Sequence, residues 1–169
     1  MNCTLGLAQM AFRFGDPEEN LSRVGEWVHK AGAAGADLVL FPELWASGYD
    51  LEHSASYAAP LGEGMFASVS ALAREHGVMI GGSLLEKDGD RVYNTFTLHD
   101  GDGELLAHYR KIHLFRLLDE EKWLTAGDEP ILVDTRWGKI GLSTCYDLRF
   151  PELYRAYALA GAKLILVVA

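Results

Sequence analysis

Cysteine is scarce in this chain: Cys3 and Cys145 are the only two among 169 residues. That excludes a disulfide-stapled scaffold and makes a reducing compartment the expected setting. Positive charge is also short, with 15 Lys and Arg against 24 Asp and Glu, a formal charge of -9 and a pI near 5.0. With no basic stripe to offset the acidic excess, nucleic acid and anionic membrane surfaces are disfavoured as partners. Long apolar runs are missing too, and no segment approaches the ~20 residues that a membrane-spanning helix needs. The six histidines (His29, His53, His76, His99, His108 and His113) are scattered without metal-ligand spacing, so no metal is expected. Met1-Asn2-Cys3-Thr4 has neither the basic start nor the apolar stretch of a signal peptide, and the expected address is cytosolic.

What is present suits a soluble globular protein. The apolar fraction is 49% and the charged fraction 23%, and the length allows one domain with a full core. A strand is expected over 3–10. Asp16-Pro17-Glu18-Glu19 then supplies an N-cap, a proline at the first helical position and a glutamate three residues after the cap. Leu21, Val24, Trp27, Val28 and Ala31 follow at helical spacing. Asp37-Leu38-Val39-Leu40-Phe41 reads as a short strand covered on both faces. A helix is predicted over about 64–76, with Phe66, Val69, Leu72 and Ala73 inward and Gly77 as its stop. Strands are predicted near 78–84, 91–98 and 104–109, the last two joined by the hairpin signal Asp100-Gly101-Asp102-Gly103. Residues 110–130 read as irregular; strands near 131–134 and 138–144, a helix over 150–160 and a strand over 163–168 complete the chain.

One internal echo organises these elements. Thr4-Leu5-Gly6-Leu7-Ala8 resembles Lys139-Ile140-Gly141-Leu142-Ser143, and Gly35–Leu40 resembles Gly161–Leu166. Each pair brackets a helix, so a strand–helix–strand unit is used twice, which fits a layered α/β fold with mixed sheets. Ligands of such folds gather beyond the carboxyl ends of the strands. Cys145 and Glu43 both stand at such ends.

Cys145 follows an apolar strand and precedes a turn into a helix. Free backbone N–H groups and a helix dipole there are expected to lower its pKa from about 8.5. Buried structural cysteine is the commoner fate of the residue, but Ser143, Thr144, Asp147 and Arg149 make an unusually polar neighbourhood. Glu43 ends the run Phe41-Pro42-Glu43, where the proline fixes the backbone before it. Lys111 follows a strand, and Ile112, Leu114 and Phe115 imply that its segment packs inward. A buried lysine needs a carboxylate or a developing negative charge beside it. A thiol, a carboxylate and an ammonium at strand exits suit acyl transfer from nitrogen. Glu43 would act as general base, Cys145 as nucleophile, and Lys111 with the backbone N–H of Tyr146 as oxyanion donors. A thiol hydrolase using His113 or His108 as base is the competing enzymatic reading.

Phe41-Pro42-Glu43, Tyr109–Phe115 and Cys145-Tyr146-Asp147-Leu148-Arg149-Phe150-Pro151-Glu152 resemble the three catalytic blocks of the nitrilase superfamily of carbon–nitrogen hydrolases. The resemblance implies a four-layer α-β-β-α sandwich, catalysis without a cofactor, and subunits paired through helices beside the site as a homodimer or higher homo-oligomer. It also implies a second glutamate that supports the lysine, matched here by Glu120 with Glu121 as its rival. Tyr49 would line the pocket, Asn94 would hydrogen-bond near it, and Arg149 would bind a substrate carboxylate or pair internally with an acid. The cysteine block is most similar to amidases acting on small carboxamides such as the ω-amide of a dicarboxylic acid, with a small amide and water as partners. Nitrilase or carbamoylase chemistry by the same three residues, or an inactive binding module, are the alternatives. The family's domain is longer than this chain, which stops within a strand at Val167-Val168-Ala169. A single hydrolase domain over 1–169, lacking its C-terminal part, is therefore expected.

Overall fold

In a computed structural model that describes residues 2–169, the chain enters through strand β1, Leu5–Leu7. It is shorter than the strand expected over 3–10. Asp16 then starts helix α1, Pro17–Ala33, by accepting from the Glu19 N–H at 3.2 Å, the capping that its position promised. Val24 and Val28 are buried in the core, whereas Trp27, although in the same helical series, lies at the helix edge and remains exposed. Strand β2, Leu38–Leu40, is buried throughout. Two short helical pieces follow, a turn over Leu51–His53 and α2, Ser54–Tyr57. Helix α3, Gly64–His76, ends on Gly77 in the left-handed conformation, a stop that glycine adopts without a Cβ clash.

Strands β3 (Met79–Asp88), β4 (Arg91–His99) and β5 (Leu105–Arg110) form an antiparallel meander. Strand β3 runs four residues further than its hydrophobic pattern indicated, because Glu86 is buried by Arg110 and by the Thr95 hydroxyl instead of facing water. The segment expected to be irregular holds two short helical pieces, a turn over Arg116–Leu118 and α4, Glu120–Trp123. Strands β6 (Leu132–Thr135) and β7 (Gly138–Thr144), helix α5 (Pro151–Leu159) and strand β8 (Ala162–Val168) finish the fold.

The strands form two sheets, one ordered β1-β2-β3-β4-β5 and one ordered β6-β7-β8. The repeated unit is visible in both: β1 pairs with β2 in parallel, Leu5 opposite Leu38, and β7 pairs with β8 in parallel, Ile140 opposite Leu164. Even the glycines correspond. A Cβ on Gly6 would stand 3.3 Å from Ala31 of α1, and one on Gly141 would stand 2.9 Å from the Tyr157 ring of α5, so each glycine lets its covering helix sit close to the sheet. Period-two alternation then sorts the layers. Val39, Phe41, Ile80 and Leu84 face α1 and α3 in one core, while Leu38, Leu40, Phe96 and Leu98 meet Ile140, Leu142, Leu166 and Val168 in another between the sheets. With α5 packed on the far face of the second sheet, the architecture is the four-layer α-β-β-α sandwich.

Candidate active site

The first sheet delivers Glu43 just past the end of β2. Leu44 takes a left-handed backbone with φ 48°, and its N–H donates to Ser83 Oγ of β3 at 2.9 Å. This turn points the Glu43 side chain inward, where it is fully buried. Lys111, just past β5, is pinned through its backbone: its N–H donates to Asn94 O and its carbonyl accepts from Gly127 N–H, both at 2.9 Å. Gly127 is needed for that approach, since a Cβ there would collide with the Arg110 carbonyl.

Lys111 Nζ lies 2.8 Å from Glu43 Oε1 and 2.8 Å from Glu120 Oε1, and all three side chains are completely shielded from solvent. Burial works against the ammonium charge, but Glu43 and Glu120 outweigh it and raise the lysine's pKa. The same burial raises the pKa of Glu120 despite its partner. Glu120 Oε2 also accepts from the Phe115 N–H at 2.8 Å, tying α4 to the lysine segment. Of the two rival glutamates, Glu120 is therefore the one brought to Lys111; Glu121 is exposed and lines the neighbouring cavity. Asn94 Nδ2 donates to Glu43 Oε1 at 2.7 Å, and the Tyr49 hydroxyl donates to Glu43 Oε2 at 2.5 Å.

Cys145 opens a tight helical turn, Cys145–Arg149, at the end of β7, with a left-handed φ of 45° that is rare for a side chain with a Cβ. Its thiol belongs to the same cluster, but its acidity runs against expectation. Burial, then the charge of Glu43 and a hydrogen bond to it, push the thiol up to about 11, and Lys111 only partly opposes them. The dipole of one short turn is a small effect beside a buried carboxylate in contact with sulfur. A thiol so placed keeps its proton at neutral pH.

Asp147 went unrecognised as a site residue. It is fully buried and accepts four hydrogen bonds: from Tyr109 OH at 2.7 Å, Thr144 N at 2.9 Å, His113 N at 3.0 Å and His113 Nδ1 at 2.8 Å. It clamps the strand that carries Lys111 to the turn that carries Cys145. The spacing Thr144-x-x-Asp147, a capping-box pattern, was the signal that could have revealed it. His113 is committed to this clamp and stacks on Phe150 at 3.5 Å between ring centroids, and His108 is exposed on β5. The groups that act on the thiol are carboxylates and lysine.

Tyr146 packs its ring between Phe115 and Phe150 and lines a cavity of about 600 Å³ together with His113, Arg116 and Glu121. Glu43, Lys111 and Cys145 do not line that cavity, although the chain neighbours Ile112 and Tyr146 do. Arg149 is exposed, and among the described residues it forms no ion pair, Asp147 being saturated by other donors. The described residues hold no cluster of His, Cys, Asp or Glu suited to a metal ion, and none of their helices is long and apolar enough to cross a membrane.

A four-layer sandwich in which a half-buried thiol stands beside two buried carboxylates and one buried lysine defines a class built for base-assisted thiol chemistry. Comparison with known proteins names it. The carbon–nitrogen hydrolase family model matches residues 4–169. The chain is 41% identical to an omega-amidase (chloroplastic) of Arabidopsis thaliana, over 95% of this chain and 47% of that one. It is 34% identical to a 2-oxoglutaramate amidase of Bacillus subtilis, over 100% of this chain and 65% of that one. A solved amidase from Nesterenkonia sp. AN1 superposes with a TM-score of 0.91 at 31% identity, covering 98% of this chain and 66% of that one. That structure is a glutamate-to-glutamine variant showing the result of Michael addition of acrylamide at the active-site cysteine. The chain spans about half to two thirds of the length of these curated relatives. This chain belongs to the carbon–nitrogen hydrolase family, in the amidase-like branch of the nitrilase superfamily.

Proposed function

We propose that this chain carries the reacting groups of an amidase that hydrolyses a small carboxamide, of the ω-amide type, with release of ammonia. The observation that carries the reading is Lys111 buried between Glu43 and Glu120 beside the Cys145 thiol. The names of the relatives, an omega-amidase and a 2-oxoglutaramate amidase, favour an ω-amide over a nitrile or carbamoyl substrate.

In this reading Glu43 takes the thiol proton as sulfur attacks the amide carbon, and the carbonyl electron pair moves onto oxygen. An ammonium has three donor protons. At Lys111 two of them point at Glu43 and Glu120, leaving the third for the oxyanion, together with the N–H of Tyr146. The C–N bond breaks as Glu43 returns its proton to nitrogen, so ammonia leaves and a thioester remains. Water then gives a proton to Glu43 and adds to the thioester carbon; the C–S bond breaks, the proton returns to sulfur, and the acid departs. Glu120 holds Lys111 in place, and Arg149, exposed near the turn, is assigned to a substrate carboxylate. Only groups of the chain itself, side chains and one backbone N–H, and water take part. A single domain over 1–169, a cytosolic address and pairing of two or more copies complete the proposal.

The test is ammonia release from 2-oxoglutaramate and simple ω-amides, compared with nitriles and carbamoyl compounds, with Cys145→Ala as control. Ammonia from the amides that disappears in the variant is the expected outcome. Turnover confined to nitriles or carbamoyl compounds, or none at all, rejects the assignment.

A further inference from the structure

A carboxylate offers about four lone-pair directions, two on each oxygen. At Glu43 the first oxygen is full: Oε1 accepts from Lys111 Nζ at 2.8 Å and from Asn94 Nδ2 at 2.7 Å. On Oε2 one direction is taken by the Tyr49 hydroxyl at 2.5 Å. A single direction, on Oε2, is left for the Cys145 thiol, which hydrogen-bonds to Glu43. We propose that Tyr49 is a positioning residue that fixes Oε2 as the proton-accepting oxygen of Glu43 and moderates its basicity. The catalytic consequence of this role rests on the amidase reading above; the hydrogen-bonding role does not.

The local chain is built to bring Tyr49 back onto Glu43. The left-handed Leu44 starts a turn closed by Gly48 N–H donating to Leu44 O at 2.7 Å. Gly48 itself has φ 65°, and a Cβ there would come within 2.8 Å of the Phe12 ring. The Tyr49 ring is then seated against the apolar group of Leu44, Leu51, Leu85 and Leu124, which leaves the phenol little freedom. Burial and the Glu43 charge hold the phenol pKa well above its ordinary value, so Tyr49 stays a donor. The groups facing Glu43 are Tyr49 from its own loop, Asn94 from β4, Lys111 after β5, Glu120 from α4 and Cys145 after β7.

A donor to the ionised form of a carboxylate favours that form. Tyr49 therefore makes Glu43 ready to release its proton to the leaving nitrogen, and stops the carboxylate from turning away from sulfur. Tyr49→Phe keeps the ring in its seat and removes only the donor. The expected result is a kcat about tenfold lower with KM within about twofold, and an acid limb of the pH–rate profile moved up by about one unit. A raised KM with an unmoved limb would mean that Tyr49 touches substrate instead, and overturns the inference.

A second measurement stands apart from turnover. Iodoacetamide alkylation is followed by mass spectrometry at mildly alkaline pH, with Cys3 as internal reference. It is run on the full chain, Tyr49→Phe, Glu43→Gln and the double variant. Losing the donor leaves the Glu43 charge less screened, so Tyr49→Phe is expected to slow Cys145 alkylation about threefold. In the Glu43→Gln background the same change is expected to do nothing, because the charge it acts through is gone. Equal effects in both backgrounds, or none in either, overturn the inference even if amides are turned over. If no amide is turned over, the amidase reading falls while this cycle still decides the role of Tyr49.

Discussion

Replacing Lys111 by methionine is the sharpest perturbation of this cluster. The side chain fits by volume, but two buried carboxylates that shared one ammonium at 2.8 Å each are left facing one another. Breaking a buried ion pair from one side costs about 3–5 kcal/mol, a large part of the ~5–15 kcal/mol that holds a domain together. The loss depends on pH. Burial already raises the pKa of Glu120 with the lysine present, and without it the folded-state value rises further. A carboxyl whose folded pKa lies above its unfolded one binds more protons when folded. Stability is then greatest below the unfolded pKa, about 4.3, and falls as pH climbs toward the folded value, by about 1.4 kcal/mol per unit for each such group. Urea unfolding of Lys111→Met across the mildly acidic to neutral range measures this directly. Lys111→Met combined with Glu120→Gln should regain at least about 1 kcal/mol at neutral pH, because a neutral amide can donate to Glu43. A loss below about 1 kcal/mol, or one that is flat with pH, refutes the reasoning.

Three further outcomes are expected. Alkylation of Cys145 should rise about tenfold per pH unit through neutrality and level off only near 11, where the thiol titrates; a plateau near neutral pH contradicts the half-buried, Glu43-coupled thiol. Glu43→Gln removes the adverse charge, so alkylation of Cys145 near neutral pH should quicken about threefold, a tenfold gain in thiolate tempered by its lower nucleophilicity. The same substitution should cut ammonia release by about 10²–10⁴; slower alkylation in the variant would show that the charge of Glu43 does not hold back the thiolate. Gly141→Ala, whose new Cβ would stand 2.9 Å from the Tyr157 ring, should cost about 1–3 kcal/mol and lower Tm by about 2–4 °C for each kcal/mol. An unchanged melting curve means that α5 can lift from the sheet without cost.

Local chemistry explains which features were legible. Asp16 and Pro17 are read by the backbone beside them, and helix α1 starts there. The Asp100–Gly103 turn closes within its own few residues, with Asp100 N–H on Glu104 O at 2.9 Å. The echoed strands kept their meaning because burial on both faces demands unbroken apolar runs. Features that depend on a distant partner were hidden. The polar end of β3 carries no strand pattern of its own, since Glu86 is buried there only through its ion pair with Arg110 and the hydrogen bond from Thr95. Helix α4 is a single turn, too short to announce itself, and is held by Glu120 reaching Lys111 and the Phe115 N–H. Asp147 looked like a polar neighbour of a cysteine, yet it joins β5 to the turn after β7 through four donors.

The order of elements, the doubled strand–helix–strand unit and the residue types gathered at strand exits are all written in the order of the amino acids. Those follow from period, capping and composition, which act over a few residues. The acidity of Cys145 is set by long-range packing instead. A short local turn favours the thiolate weakly, while the buried charge of Glu43, brought from more than a hundred residues away, opposes it strongly and prevails. Charge in a low-dielectric interior is felt through space rather than along the chain, so proton placement at this site belongs to the fold.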